Sequence, residues 1–138
     1  MISQTAEYAL RAMVYLAENP DQALPVPRIA EATQVPAGYL SKVLQSLVRG
    51  GLVGSQRGLK GGFRLARPAH DVTLLDILTC VSHVERITAC PLGLPHHDGQ
   101  LCALHQRLDE AIGHFEGNCR ATTLADLAQQ DLTKTFPA

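Results

Sequence analysis

The sequence is poor in the features that would send it to a membrane, out of the cell, or into a familiar enzyme class. Its apolar runs fall far short of the ~20 residues that a bilayer-spanning helix needs. The opening stretch MISQTAEYALRAM carries Glu7 where an export signal would be continuously apolar. A cytoplasmic protein with no membrane partner is therefore the expectation. The chain contains no phosphate-binding glycine loop, nucleophile elbow or His-Glu-x-x-His helix, so the chemistries those motifs serve have no carrier. Cys102 and His105 are a conceivable nucleophilic pair, but no third residue is evident to orient them, and an enzyme is not expected. Internal repeats and low-complexity segments are missing as well.

What the chain has is enough apolar material for one core: 46% of its 138 residues are hydrophobic, whereas two independent domains would each sit near the lower size limit. Its charge is segregated. Residues 28–68 hold seven Lys/Arg against Glu31 alone, a balance of +6, and residues 69–138 hold four Lys/Arg against nine Asp/Glu, a balance of −5. A basic module at residues 1–68 is thus expected ahead of an acidic one at 69–138, and clustered positive charge attracts a polyanion whatever the total. A solvated basic face with no ligand is the plainer alternative.

Apolar residues at three- and four-residue steps from Ile2 to Ala17 predict a first helix over Ser3–Glu18, ended by Asn19-Pro20-Asp21. A short helix over Pro27–Thr33 follows, with the proline tolerated in its first turn. After the turn Gln34-Val35-Pro36, a third helix over Pro36–Arg49 aligns Leu40, Val43, Leu44, Leu47 and Val48 and leaves Tyr39, Ser41, Lys42, Gln45 and Arg49 off that stripe. Leu52–Ser55, a glycine-rich turn over 56–62 and Phe63–Leu65 read as a hairpin. The fold class is mainly α with a small β-hairpin wing: a winged helix-turn-helix, followed by a helix over Thr73–Val81, a loop at 88–100, a long helix over Leu101–Gly117 and a short one over Thr123–Gln129. Leu101, Leu104, Leu108, Ala111, Ile112 and Phe115 are near heptad spacing, which suits a seam between two copies as well as packing onto the chain's own core.

In a helix-turn-helix the second helix of the pair enters the major groove, which displays a distinct pattern for each base pair. Ser41, Lys42 and Gln45 are the candidates for base edges or phosphates, and Tyr39 and Arg28 for the backbone. Arg57 and Lys60 supply charge on a hairpin whose glycines allow close approach, with Arg57 the candidate for the minor groove. A protein-interaction module that ignores DNA is the competing reading, separable by whether affinity for duplex DNA falls steeply with salt.

The segments AEYALRAMVYLA, VPRIAEATQVPAGYLSKVLQSLVRGGLVGSQRGLKGGFRLAR and VTLLDIL resemble the Rrf-two family of regulators, over nearly the whole chain. The resemblance implies a homodimer with crossing long helices that reads double-stranded DNA at a palindromic operator, with repression the expected mode. Sensing members hold a cluster with three cysteines in the loop before the long helix and at its start. Here Cys90 and Cys102 fill the outer positions and His96 stands in the middle one. His105 follows Cys102 as the family's cysteine–histidine step does, and Glu7 sits where some relatives offer an acidic ligand from the partner's first helix.

Because imidazole can replace thiolate on one iron, Cys90, Cys102 and His105 with Glu7 or His96 form a candidate ligand set for a 2Fe–2S cluster that senses redox state, iron or nitric oxide. Three alternatives stand beside it: a thiol switch between Cys90 and Cys102, zinc on the same side chains, and a loop that binds nothing in a protein answering to a small molecule. With no export signal, the four cysteines are expected to be reduced, ligating or redox-sensing rather than a disulfide framework. Cys80, in an apolar run beside Leu78 and Val81, is expected to be a small core residue.

Overall fold

The computed structural model describes residues 2–95 and 99–129. The first helix, α1 (Gln4–Glu18), starts where the Ser3 hydroxyl accepts the Ala6 N–H at 3.1 Å, satisfying one of the donors a helix start leaves open. It buries Ala6, Ala9, Ala12, Met13, Tyr15 and Leu16. Helix α2 (Val26–Thr33) tolerates Pro27 in its first turn and ends on Gln34 at φ 58°, a left-handed residue that reverses the chain. Val35 is buried beneath this turn. Helix α3 (Ala37–Arg49) then buries Leu40, Val43, Leu44 and Leu47 on one face.

The wing is an antiparallel pair, β1 (Val53–Gln56) and β2 (Gly62–Leu65), in the register Val53↔Leu65 to Gln56↔Gly62. Leu24 adds a bridge on the far side of β2 through two 2.8 Å backbone bonds with Phe63. Gly62 makes this possible: its φ is 148°, and a Cβ there would collide with the Leu24 carbonyl.

A short 3₁₀ turn (Ala69–Asp71) leads to α4 (Leu74–Val81), opened by a reciprocal capping box between Thr73 and Asp76. After an extended connection come α5 (Ala103–Ala121) and α6 (Leu124–Gln129). The chain end returns to the first module, with Leu74 N–H bonded to the Thr122 carbonyl at 3.0 Å and Leu124 N–H to the Val72 carbonyl at 2.9 Å. Val72, Ile77 and Leu124 consequently share one core with α1, α2 and α3.

Only the two ends of the long helix differ from the sequence expectation by more than one residue. The long helix begins at Ala103 rather than Leu101, with Cys102 as an N-cap that makes no side-chain capping bond. It also runs past Gly117 to Ala121. A helical glycine costs only about 1 kcal/mol, and burial of Cys119 against Ala6 and Leu78 holds the last turns in place. Cys80 is only half-buried, its sulfur pressed against the position a Cβ of Gly50 would take at the end of α3.

Candidate DNA interface and metal centre

Along α3, burial of the leucine–valine face turns Tyr39, Lys42 and Gln45 to solvent, with Arg49 a turn further on. Ser41 is half-buried and its hydroxyl donates to the Ala37 carbonyl at 3.1 Å. Arg28 is exposed on α2, and Arg57 and Lys60 are exposed in the turn between β1 and β2. These side chains therefore occur on α2, α3 and the wing, and every one but Ser41 is open to a ligand.

Tyr39 is fixed by more than its own helix. Its ring meets Tyr8 edge-on, with centroids 6.0 Å apart at 73°, a favoured aromatic geometry. The Arg11 guanidinium carbon lies 5.9 Å from the Tyr8 ring centre. Arg11 in turn pairs with Glu7 at 3.0 Å and donates to the Thr33 carbonyl at 3.4 Å. Glu7 is thus held within α1 of its own chain. Tyr8 and Arg11 were not singled out from the sequence; the four-residue step from Glu7 to Arg11 is the signal that could have found their part of this chain of contacts.

The second site forms where the connection from α4 meets the start of α5. Cys90, Cys102 and His105 place one ligand atom each within 4.8 Å of one another. His105 Nδ1 is 2.9 Å from the Cys102 sulfur and 3.8 Å from that of Cys90. A tetrahedral ion with bonds of ~2.3 Å to sulfur and ~2.0 Å to nitrogen sets S···N edges of roughly 3.6 Å. The spacing therefore fits a metal with little movement. Glu7 is not part of this group, and His96 lies outside the described residues.

The thiol of Cys102 is lowered to about 7, first by the backbone N–H of His105, then by its ring and by the Cys90 thiol, with partial burial opposing. This shift favours the thiolate near neutral pH, the form that ligates metal and attacks electrophiles. Burial acts the other way on Cys80 and Cys119, pushing both thiols up and disfavouring their thiolates. Just before Cys90, Arg86 grips Asp109 of α5 through two 2.7 Å bonds, and the Ile87 N–H donates to the same carboxylate at 2.9 Å. This pair was not visible in the sequence, where the two residues stand 23 positions apart as ordinary surface charges.

Among the described residues no helix is long and apolar enough to cross a membrane. The chain matches the Rrf2 family, described as iron-dependent transcriptional regulators, over residues 2–130. A protein of Aquifex aeolicus (strain VF5), provisionally named an HTH-type transcriptional regulator, is 31% identical over 141 aligned positions, spanning 99% of this chain and 97% of that one. The fold is similar to CymR, the global cysteine regulator of B. subtilis, with TM-score 0.80 at 24% identity over 94% of this chain and 97% of that one. It is equally similar to T. potens IscR, with TM-score 0.80 at 22% identity over 100% and 93%. The winged helix-turn-helix and the match over residues 2–130 agree, and the chain belongs to the Rrf2 family of DNA-binding transcriptional regulators.

Proposed function

We propose that this regulator acts as a homodimer that represses transcription from a palindromic operator, and that a metal group held by Cys90, Cys102 and His105 sets its affinity for DNA. The observation that carries the sensing half is the convergence of these three ligand atoms within 4.8 Å, one of them a thiol lowered to about 7. Three protein ligands leave a position open. A 2Fe–2S cluster takes four, so the fourth would come from Glu7 of a second copy, freed from Arg11, or from His96. Such a cluster supplies one-electron chemistry, and its loss or oxidation would be the signal. The chain's own residues supply the rest: the Cys102 thiolate, the Cys90 sulfur, an imidazole in the first turn of α5, and a helix that carries the change to the partner.

On this reading residues 1–68 read DNA and residues 69–138 sense and dimerise. Lys42 and Gln45 enter the major groove with Ser41 beside them, Tyr39 and Arg28 contact the backbone, and Arg57 and Lys60 of the wing lie along the neighbouring minor groove. The second copy would cover the face of α5 that exposes Leu104, Leu108 and Phe115. Anaerobic purification followed by a visible spectrum, with iron and acid-labile sulfide assays, tests the cluster. A brown protein that loses colour and operator response in Cys90→Ala, Cys102→Ala and His105→Ala is expected. A colourless protein that also resists reconstitution would remove the cluster from this proposal.

The acidic Cys102 thiol favours one second reading, a metal-free switch in which its thiolate attacks an oxidant and the resulting sulfenic acid condenses with Cys90, releasing water and forming a disulfide. Peroxide would then change operator affinity in chelator-treated protein, and Cys90→Ala would leave a sulfenic acid that a dimedone probe captures. Operator affinity indifferent to peroxide without metal speaks for the cluster instead.

A further inference from the structure

We propose that Arg86 and Asp109 form a clamp whose task is to position Cys90 as a metal ligand. This inference rests on the metal-holding reading above. Cys102 and His105 need no such help, because the N-cap and first turn of α5 already place them three residues apart. Cys90 belongs to the connection between α4 and α5, which has no α-helix or strand of its own among the described residues. Something must bring it to the helix.

The clamp has the geometry for that role. Asp109 lies four residues after His105, on the same face of α5 and one turn below it. Its carboxylate takes both the guanidinium fork of Arg86, at 2.7 Å twice, and the Ile87 N–H at 2.9 Å. Side chain and backbone of the connection are thus tied to a single group. Ile87 is three residues before Cys90, so a chain spanning at most ~3.6 Å per residue cannot carry Cys90 more than about 11 Å from the tether. Helix α5 is shaped to receive the guanidinium: it lies over Gly113, where a Cβ would come within 3.0 Å of it. Glu116, 3.9 Å away, holds its outer edge. Asp109 retains only 18% of its side-chain exposure, and its carboxyl is lowered by Arg86 first and by the Ile87 N–H as well.

As a stabilising ion pair alone, a clamp at the protein surface would contribute little, because solvent and salt screen exposed charges. As a tether it restricts a ligand-bearing segment before metal arrives, which is how outer partners of a metal site come to be worth about 10- to 100-fold in affinity. Arg86→Lys would keep the charge and lose the paired bonds.

The test is cobalt(II) titration of the full-length reduced protein under argon, reading the thiolate-to-metal charge-transfer band, with thermal unfolding alongside. For Asp109→Asn and Arg86→Gln the expected result is cobalt binding weakened about 10- to 100-fold, charge-transfer intensity per cobalt falling toward that of Cys90→Ala, and an unfolding midpoint near that of the wild type. The double variant should be no worse than either single one, because the pair acts as a unit. Single variants that bind cobalt within twofold of wild type, or keep the full two-thiolate intensity, overturn the clamp. Wild-type protein that binds no cobalt overturns the metal-holding reading, and the clamp's role with it.

Discussion

The winged module and the α5 arm are built on different principles. Helices α1, α2 and α3 bury their apolar faces against each other, with Met13, Leu16, Leu24, Ile29, Leu40, Leu44 and Leu47 almost wholly enclosed. Along the 19 residues of α5 only Cys119 is buried, while Leu104, Leu108 and Phe115 face outward. The module closes its own core, whereas the arm is tethered by polar contacts and leaves apolar surface uncovered. A reader of DNA has to be rigid, because base recognition depends on side chains held in register with the groove. The sensing role proposed for the arm needs a second arrangement within reach, and few buried contacts make that inexpensive.

The contrast can be broken most severely from inside the module. Leu44→Ala should destabilise the fold by about 2–5 kcal/mol through lost burial and the cavity left behind, read as a lower chemical-unfolding midpoint. A loss below 1 kcal/mol would mean that the core is looser than its burial indicates. On the arm, Leu108→Glu should leave the unfolding midpoint of the isolated chain nearly unchanged but abolish the dimer in analytical ultracentrifugation. Operator affinity should then fall about 100-fold or more, because two half-sites no longer bind as one unit. A monodisperse, DNA-competent dimer of this variant would put the seam elsewhere.

Smaller effects sharpen the same contrast. Lys42→Ala and Arg57→Ala should each weaken operator binding and lower the salt slope by about 1, without touching cobalt binding. An unchanged slope in both would take the recognition helix and the wing off the DNA. The least change is expected at Glu18, where one carboxylate oxygen is buried without a partner among the described residues and burial raises the pKa. A carboxyl whose folded pKa lies above its unfolded value favours the folded state while protonated, and that contribution disappears as pH rises through the folded value. Glu18→Gln should therefore stabilise by about 1 kcal/mol at neutral pH, with the gain vanishing in acid. A gain that is the same at both pH values would place its origin outside this carboxyl.

The module was the legible half of the sequence. Leucine and valine at helical steps through α3, Pro25 and Pro27 at the start of α2 and glycines around the wing are local signals, and each element formed within a few residues of where those signals put it. The start of α5 was misplaced because Leu101-Cys102-Ala103 offers no strong capping side chain to mark it, and its end because Gly117 resembles a stop until Cys119 is seen to be buried. The metal-site candidates came from a resemblance and not from periodicity, and geometry adds that Cys90, Cys102 and His105 meet. Arg86 and Asp109 stayed hidden because pairing across 23 residues leaves no pattern in a string of surface charges. The half-burial of Cys80 was hidden for the same reason: it depends on the close passage of Gly50, far away in sequence.

With α4 packed on the core, the bridge between Thr73 and Thr123 makes the connection and α5 a handle whose two ends are both fastened to the winged module. Length can be added to or taken from the middle of a handle without moving its attachment. For a flexible segment each doubling costs only about 0.6 kcal/mol in closure entropy. On the metal-holding role proposed above, a change in the length of the stretch between α4 and α5 would alter the metal site while leaving the core of the winged module in place.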